Sequence, residues 1–270
     1  MPDATRPLAV VTGASSGIGL ELAREFARHG YDLLIAAEDA RLDAAAGAIH
    51  AEGSAVESVR VDLATREGVD ELVARIRAQG RPVDAIAINA GIGVGGPFVE
   101  TDLEAELRLV ALNVTGVVQL SKHIVRDMVS VGRGRILYTS SIAGDMPAPY
   151  LGVYGASKAF DLSFAEALRH EMKDTGVTIT VLQPGPTDTD FFRRADMEDT
   201  KVATAKKDDP AEVARQGFEA LMAGKDHVVA GSLKNRVQDA LAQVLPEPAK
   251  AAAHAKQAEP GSGRKGAKKK

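Results

Sequence analysis

Short apolar runs recur along the chain, and each is followed by a segment in which apolar positions repeat every three or four residues. The runs are continuous in Val, Ile, Leu and Ala, which is typical of strands covered on both faces. The segments between them have helical periodicity and end at glycines. This alternation predicts an α/β fold with a parallel sheet of about seven strands and helices on both faces. The strands are expected near residues 8–12, 32–36, 55–61, 83–88, 134–140, 177–182 and 226–230.

Composition is consistent with one globular domain. The chain has 270 residues, of which 45% are hydrophobic, so it can bury a sizeable core. No apolar run reaches the ~18 residues of a membrane-spanning helix, and the first residues lack the order of a signal peptide, so a cytoplasmic location is expected. Cysteine is absent and the six histidines form no close group, so we expect no metal site.

The composition changes near Pro246. Residues 247–270 carry 7 Lys or Arg against 2 Glu, a net charge of +5 in a chain whose net charge is −4. Little apolar surface is present there, so we expect a disordered basic tail that contacts polyanions weakly, without a specific nucleic-acid partner. The domain itself is expected to span residues 1–246 and to end in a helix near 232–245. The apolar stripe of that helix is Leu233, Val237, Leu241 and Val244.

A glycine turn lies between the first strand and the first helix, in LAVVTGASSGIGLELAREFARHG at 8–30. Gly13 suits a tight exit from the strand, Gly17 lets backbone approach a pyrophosphate, and Gly19 allows close helix packing. Ser15 and Ile18 flank the helix entry, whose amide groups and dipole favour phosphate. A second GxGxxG match at 91–96 is interpreted as a loop, because Pro97 precedes the next helix.

The same turn also fits a different function. GASSG at 13–17 matches the GxSxG nucleophile elbow, with Ser15 as the nucleophile of a serine hydrolase. Such an elbow needs Asp and His downstream and usually follows several strands, whereas residue 15 comes early. A non-catalytic dinucleotide-binding sensor is a third alternative.

Tyr154 and Lys158 lie four residues apart, so a helix places them on one face. A free tyrosine titrates near pH ~10, and a neighbouring positive charge lowers its pKa towards the range of acid–base catalysis. Ser141 lies thirteen residues before Tyr154 and offers a hydroxyl donor to the same reacting oxygen. The three residues indicate oxidoreductase chemistry.

Seven motifs in order resemble the short-chain dehydrogenase/reductase family, in its non-extended branch, over most of residues 7–230. Two positions depart from the family pattern: Ile88 replaces the first Asn of NNAG, and Ala36-Ala37-Glu38-Asp39 lacks the arginine common in NADP users. The motifs are TGASSGIG (12–19), Asp62-Leu63, NAG (89–91), Asn113 in LNVTG, SSIAG (140–144), YGASK (154–158) and PGPTDT (184–189).

The resemblance implies a single-domain, Rossmann-type doubly wound sheet and assigns roles to residues. Tyr154 would be the general acid or base, Ser141 would hydrogen-bond the substrate oxygen, Lys158 would hold the nicotinamide ribose, and Asn113 would hold a water in a proton relay. Asp62 would meet the adenine, and Thr189 would face the nicotinamide carboxamide. The cofactor-binding set is Gly13, Ser15, Gly17, Ile18, Gly19, Glu38, Asp62, Leu63, Asn89, Ala90, Gly91, Tyr154, Lys158, Pro184, Gly185, Thr187 and Thr189.

Glu38 decides between the two nicotinamide cofactors. It lies 19 residues after Gly19, close to the ~20 at which an acidic residue reaches the ribose 2′-hydroxyl. Its carboxylate would repel a 2′-phosphate, so NAD(H) is favoured. NADP(H) is the alternative, because Arg41 is close enough in sequence to accept that phosphate.

The expected partner is a small-molecule alcohol or carbonyl compound, and residues 190–209 are expected to cover its pocket. Assembly into a homodimer or homotetramer is expected through the helices that follow residues 101 and 154. The apolar faces considered for that contact, which also suit core packing within one subunit, are Val117, Leu120, Ile124, Phe160, Phe164 and Leu168.

Overall fold

The computed structural model describes residues 6–232 and 245–263. Its strands form one seven-stranded parallel sheet in the order β3-β2-β1-β4-β5-β6-β7. The prediction of a doubly wound Rossmann-type sheet is therefore confirmed. The strands are β1 (Leu8–Thr12), β2 (Asp32–Ala37), β3 (Val56–Arg60), β4 (Ala85–Ile88), β5 (Gly134–Thr139), β6 (Val177–Pro184) and β7 (His227–Ala230).

Helices cover both faces of the sheet. The core on one face includes α1, α2 and α9, and the core on the other includes α3, α5 and α6. None of the helices within the described ranges combines the length and hydropathy that a bilayer crossing requires. The helices are α1 (Gly17–Arg28), α2 (Leu42–Ala51), α3 (Arg66–Ala78), α4 (Leu103–Val110), a π-helix (Ala111–Gly116), α5 (Val117–Val131), a 3₁₀ helix (Ile142–Asp145), α6 (Gly152–Met172), α7 (Phe191–Arg194), α8 (Lys201–Thr204) and α9 (Pro210–Met222).

The topology fixes where a ligand can bind. β1 pairs with β2 on one side and with β4 on the other, so the chain reverses its direction of winding beside β1. In open α/β sheets a crevice forms at this reversal, outside the carboxyl ends of the strands. The glycine turn after β1 and the segments after β4, β5 and β6 all open at that edge.

The C-terminal segment differs from its prediction. Residues 247–263 are not disordered: Glu247–Ala258 form a helix, here called the tail helix, in which Lys250 is 9% and Ala258 1% exposed. Gly263 continues the contact by donating its backbone N–H to the Asp199 carbonyl at 2.8 Å. The prediction weighed apolar area and omitted the high helix propensity of alanine. The predicted helix near 232–245, except for its end residues, and residues 264–270 lie outside the described part.

Candidate active site

A cavity of about 750 Å³ lies at the carboxyl edge of the sheet. Every residue of the predicted cofactor-binding set lines it, and so does Ser141. Asn113 is the predicted site residue that does not line this cavity. The fold therefore brings the glycine turn and the Tyr154 region, which are separated by more than a hundred residues, into one space.

The glycine turn has the backbone geometry of a close ligand contact. Gly13 and Gly17 have φ values of 68° and 57°, in the left-handed region that favours glycine. A Cβ on Gly19 would collide with the Gly13 carbonyl and the Asn89 amide, and one on Gly17 would lie 2.9 Å from the Thr189 Cγ2. Neighbouring atoms therefore leave no room for side chains at Gly17 and Gly19. The backbone amides at the N-terminus of α1 are available to bind a phosphate.

Asn89 fastens the end of β4 to this turn. Its side-chain amide donates to the Thr12 carbonyl at 3.1 Å, and the backbone N–H groups of Asn89 and Ala90 donate to the Thr12 hydroxyl at 2.9 and 3.0 Å. These bonds fix the spacing between the two strands on either side of the crevice. Asn89 accordingly holds the turn in shape as well as lining the cavity.

At the far end of the cavity, Arg108 on α4 joins two predicted cofactor residues. One guanidinium nitrogen donates to Asp62 Oδ2 at 2.9 Å, and another donates to Glu38 Oε2. Burial raises the pKa of Asp62, but the hydrogen bonds from Arg108 and from the Ala64 amide outweigh it, so that pKa lies below its ordinary value. Sequence reasoning missed Arg108, because it lies 70 residues from Glu38 and belongs to no motif.

Arg41 already has two carboxylate partners. It bonds Asp39 Oδ2 and Asp190 Oδ2, each at 2.7 Å, while Arg194 bonds Asp39 at 2.8 Å. Hydrogen bonds from Arg41 hold the pKa of Asp39 well below its usual range. This arrangement links the end of β2 to the segment before α7, on the outer rim of the cavity.

Tyr154 lies in the first turn of α6, and its ring packs against Phe191 with centroids 5.0 Å apart. Ser141 lies two residues after the end of β5 and caps the 3₁₀ helix by accepting the Ala143 N–H at 3.1 Å. The pKa of Tyr154 is raised by burial, although Lys158 and a hydrogen bond with Ser141 lower it. The net lowering of the Tyr154 pKa that the sequence predicted is therefore not found.

Lys158 is buried below Tyr154 and makes two hydrogen bonds. Its Nζ donates to the Thr139 carbonyl and to Asp161 Oδ2, both at 2.9 Å, and lies 6.0 Å from the Tyr154 ring centroid. Burial lowers the pKa of Lys158, but the negative charge of Asp161 raises that pKa by a larger amount, so the net shift is upward. Asp161 is a second site residue that sequence reasoning missed. Its position three residues after Lys158 could have predicted an ion pair on one face of the helix.

Asn113 lies in the π-helix and is completely buried. Its Nδ2 donates to the Ile92 carbonyl at 3.0 Å and to the Ser157 hydroxyl at 3.1 Å, while its Oδ1 accepts the Ile92 N–H at 3.0 Å. A Cβ on Gly91 would lie 3.3 Å from Asn113 Oδ1 and 3.4 Å from Lys158 Nζ. Asn113 thus lies behind Gly91, close to Lys158 but away from the cavity surface.

The tail helix forms part of the cavity wall. Lys250, Ala253, His254, Gln257 and Ala258 line the cavity together with Phe191, Phe192 and Val202. His254 Nδ1 lies 3.1 Å from the Pro149 carbonyl, and burial lowers the pKa of its imidazole. Because a carbonyl only accepts, Nδ1 carries the proton in this contact.

Other candidate chemistries find little geometric support. Residues 91–96 lie in a loop, as predicted. Histidines 29, 50 and 254 each use Nδ1 to contact a backbone carbonyl, and no histidine in the described ranges hydrogen-bonds to Ser15. Within residues 6–232 and 245–263, no three His, Asp or Glu side chains are grouped as metal ligands.

The family model of short chain dehydrogenases matches residues 7–200. This chain belongs to the short-chain dehydrogenase/reductase family. The family model describes dehydrogenases, so the hydrolase alternative is not favoured.

Two curated relatives illustrate the similarity. The probable oxidoreductase EphD of Mycobacterium tuberculosis is 36% identical over 186 residues, which are 68% of this chain. The chain spans only 31% of the length of that relative. The uncharacterized oxidoreductase SSP0419 of Staphylococcus saprophyticus is 32% identical over 216 residues, covering 79% of this chain and 90% of the relative.

Among solved structures, a short-chain dehydrogenase from Sphingobium yanoikuyae in complex with NADPH is similar over nearly the whole chain. It is 29% identical, with a TM-score of 0.78, and the match covers 89% of this chain and 96% of that one.

Proposed function

We propose that this protein transfers hydride between a nicotinamide cofactor and an alcohol or carbonyl substrate, acting on CH–OH groups. The observation that carries the proposal is that Ser141, Tyr154 and Lys158 open into the same cavity as the glycine turn at Gly13–Gly19. The positive φ values at Gly13 and Gly17 and the backbone amides at the N-terminus of α1 fit a pyrophosphate.

Bound nicotinamide dinucleotide supplies or takes up the hydride. Tyr154 donates its hydroxyl proton to the carbonyl oxygen in reduction and removes the alcohol proton in oxidation. Ser141 donates a hydrogen bond to the same oxygen as negative charge develops there. Its position at the end of β5, fixed by the bond to the Ala143 N–H, aims the hydroxyl at the cavity instead of the core.

Lys158 and Asn113 support that proton transfer. Lys158 holds the ribose on the nicotinamide side and keeps a positive charge below the Tyr154 ring. Asn113 forms hydrogen bonds with Ile92 and with Ser157 of α6. It therefore holds the backbone next to Gly91 close to α6, at the place where a relay water would lie.

For the cofactor we propose NAD(H) in preference to NADP(H). Glu38 follows β2, where the adenosine ribose of a dinucleotide is expected, and a 2′-phosphate would meet its carboxylate. Arg41 is held by Asp39 and Asp190, which leaves it poorly placed to accept the phosphate. All four of Asp62, Leu63, Thr187 and Thr189 line the cavity; the first two would meet the adenine, and the threonines would lie on the nicotinamide side.

The substrate end of the cavity favours a substrate that is apolar for most of its length. Met146, Leu151, Phe191 and Phe192 surround it on the side of Tyr154, and the tail helix adds His254 and Gln257. With Nδ1 protonated and the imidazole kept neutral by burial, His254 has an acceptor nitrogen for a substrate hydroxyl.

We also propose that the protein is a homodimer or homotetramer. Val117, Leu120 and Ile124 are buried in the core of the subunit, so the contact must use other residues. Leu103 and Leu107 on α4 are 65% and 52% exposed, although large apolar side chains are usually buried. The exposed apolar stripe is Phe98, Val99, Leu103, Leu107 and Val110.

The direct test is a panel of alcohols and ketones assayed with NAD(H) and NADP(H) by the absorbance of the reduced nicotinamide. We expect turnover of at least one apolar secondary alcohol or its ketone, and turnover lower by about 10²–10⁴-fold in the Tyr154→Phe variant. If neither cofactor binds in fluorescence titrations, the proposal fails.

A further inference from the structure

A buried carboxylate lies directly below the proposed catalytic pair. Asp161 is one turn after Lys158 on α6, and the two side chains are 4% and 6% exposed. Its Oδ2 accepts a hydrogen bond from Lys158 Nζ at 2.9 Å. Its Oδ1 is buried and has no hydrogen-bond partner. A buried carboxylate with an unpaired oxygen lowers the stability of the fold, so its presence indicates a function for its charge.

Lys158 is held from two sides. The Thr139 carbonyl at the end of β5 accepts one ammonium proton and Asp161 accepts another, so one donor is left for a ligand in the cavity. The ammonium also lies under the Tyr154 ring, 6.0 Å from its centroid. Burial raises the pKa of Asp161, and the charge and hydrogen bond of Lys158 oppose that shift. When Asp161 is ionised, Lys158 and Asp161 act on Tyr154 as a pair of opposite charges.

The surroundings contain few other charges. Tyr138 on β5 faces Asp161 and donates to the Ser121 hydroxyl of α5 at 2.8 Å. Glu106 is the buried carboxylate of α4, which packs on α6, and its bonded oxygen accepts from Thr101. The groups that face the pair from the π-helix and from the segment after β5, Asn113 and Ser140, are neutral.

Resting on the proposed function, we propose that Asp161 is the positioning residue of this site: it is the counter-ion that fixes Lys158 and keeps Tyr154 protonated through neutral pH. An isolated ammonium below the ring would favour the phenolate, and the carboxylate offsets that attraction. Burial and Asp161 both raise the pKa of Tyr154, whereas Lys158 lowers it. The neutral phenol is the form that protonates a carbonyl, so the pair keeps Tyr154 in the form that catalyses reduction at neutral pH.

The test is a pH titration of the protein labelled with ¹³Cζ-tyrosine, followed by NMR. The chain contains 4 Tyr, so four resonances are expected and can be assigned with Tyr→Phe variants. In Asp161→Asn the ionisation midpoint of Tyr154 should fall by about one pH unit or more, while that of Tyr31 stays unchanged. Asp161→Glu, which keeps the charge, should restore a midpoint close to that of the wild type.

Glu106→Gln is the matched control, because Glu106 is a buried carboxylate with one unpartnered oxygen that does not contact Lys158. It should leave the Tyr154 midpoint in place. A Tyr154 midpoint in Asp161→Asn that equals or exceeds the wild-type value overturns the proposal.

A second measurement uses only the wild-type protein, so it does not depend on whether the Asp161 variants fold. The ¹³Cγ resonance of Asp161 in the wild-type protein, assigned through the backbone, should report an ionised carboxylate at pH 7. A protonated Asp161 at that pH overturns the counter-ion role. Neither experiment requires turnover, so a negative result in the alcohol and ketone panel would contradict the proposed function and leave this test intact.

Discussion

Arg108 donates a hydrogen bond to the carboxylate of Glu38, which precedes it by 70 residues. The same guanidinium bonds Asp62, so one cation of α4 neutralises part of the charge at the adenosine end of the cavity. We therefore expect cofactor preference to depend on the balance between Glu38 and Arg108, which the sequence motif alone does not reveal.

Opposite changes at these two residues should shift cofactor preference in opposite directions. Glu38→Ala should narrow the gap between NADH and NADPH affinity by roughly tenfold, a factor that corresponds to about 1.4 kcal/mol. Arg108→Ala should widen the gap, because Glu38 then faces a 2′-phosphate without a compensating charge. Fluorescence titration measures both, with Glu104→Ala on the exposed side of α4 as the control. Wild-type protein that binds NADPH more tightly than NADH would overturn the preference.

Tyr154→Phe should remove the proton donor without disturbing the cavity, because the phenyl ring keeps the contact with Phe191. We expect kcat to fall by about 10²–10⁴-fold, as for a lost general acid or base, with nearly unchanged cofactor affinity. Steady-state kinetics and cofactor titration measure the two quantities separately. Turnover within threefold of the wild type would exclude Tyr154 as the proton donor.

Deleting residues 247–270 should destabilise the protein and weaken substrate binding. The deletion removes the packing of Ala258 and the hydrogen bonds that join Ser262 and Gly263 to Lys201 and Asp199. Each kcal/mol lost lowers Tm by about 2–4 °C in a domain of this size, so a loss of several degrees is expected together with a raised KM.

The control truncation for that experiment ends at Gly263. It should retain the Tm and KM of the full chain and lose low-salt binding to polyanions, since most of the cationic residues follow that point. Unchanged Tm and KM in the longer deletion would show that the tail helix contributes nothing to the enzyme.

Leu107→Asp should disrupt assembly. It places a charge in the exposed stripe of α4, where a subunit contact would bury it without a partner. Light scattering should give a multiple of 28.3 kDa for the wild type and about 28 kDa for the variant. Ala48→Asp, at an exposed position of α2, should leave the mass unchanged. A monomeric wild type at micromolar concentration would rule out the proposed assembly.

The sheet could be predicted from the sequence because its signals are local. Continuous apolar runs such as Ala85–Ile88 and glycines with positive φ such as Gly30 mark strands and helix ends without any knowledge of the rest of the chain. Strand ends were predicted less well: β6 runs to Pro184, two residues past the predicted 182.

The site was only partly predictable, because several of its contacts join distant segments. The motif residues from Gly13 to Thr189 line one cavity, as the resemblance implied. The partners of Glu38 and the position of His254 depend on tertiary packing that no motif encodes. The shift of the Tyr154 pKa also needed the structure, since burial and Asp161 oppose the charge of Lys158.

The tail helix also has a consequence for the order in which the parts of the site appear during protein synthesis. Domains emerge from the ribosome N-terminus first, at about 5–20 residues per second. The glycine turn and the segments that line the rest of the dinucleotide cleft are complete once Thr189 has been made, whereas the wall formed by Lys250 to Ala258 follows only about sixty residues later. The residues proposed to meet the cofactor are therefore all made several seconds before the residues of the tail helix that line the same cavity.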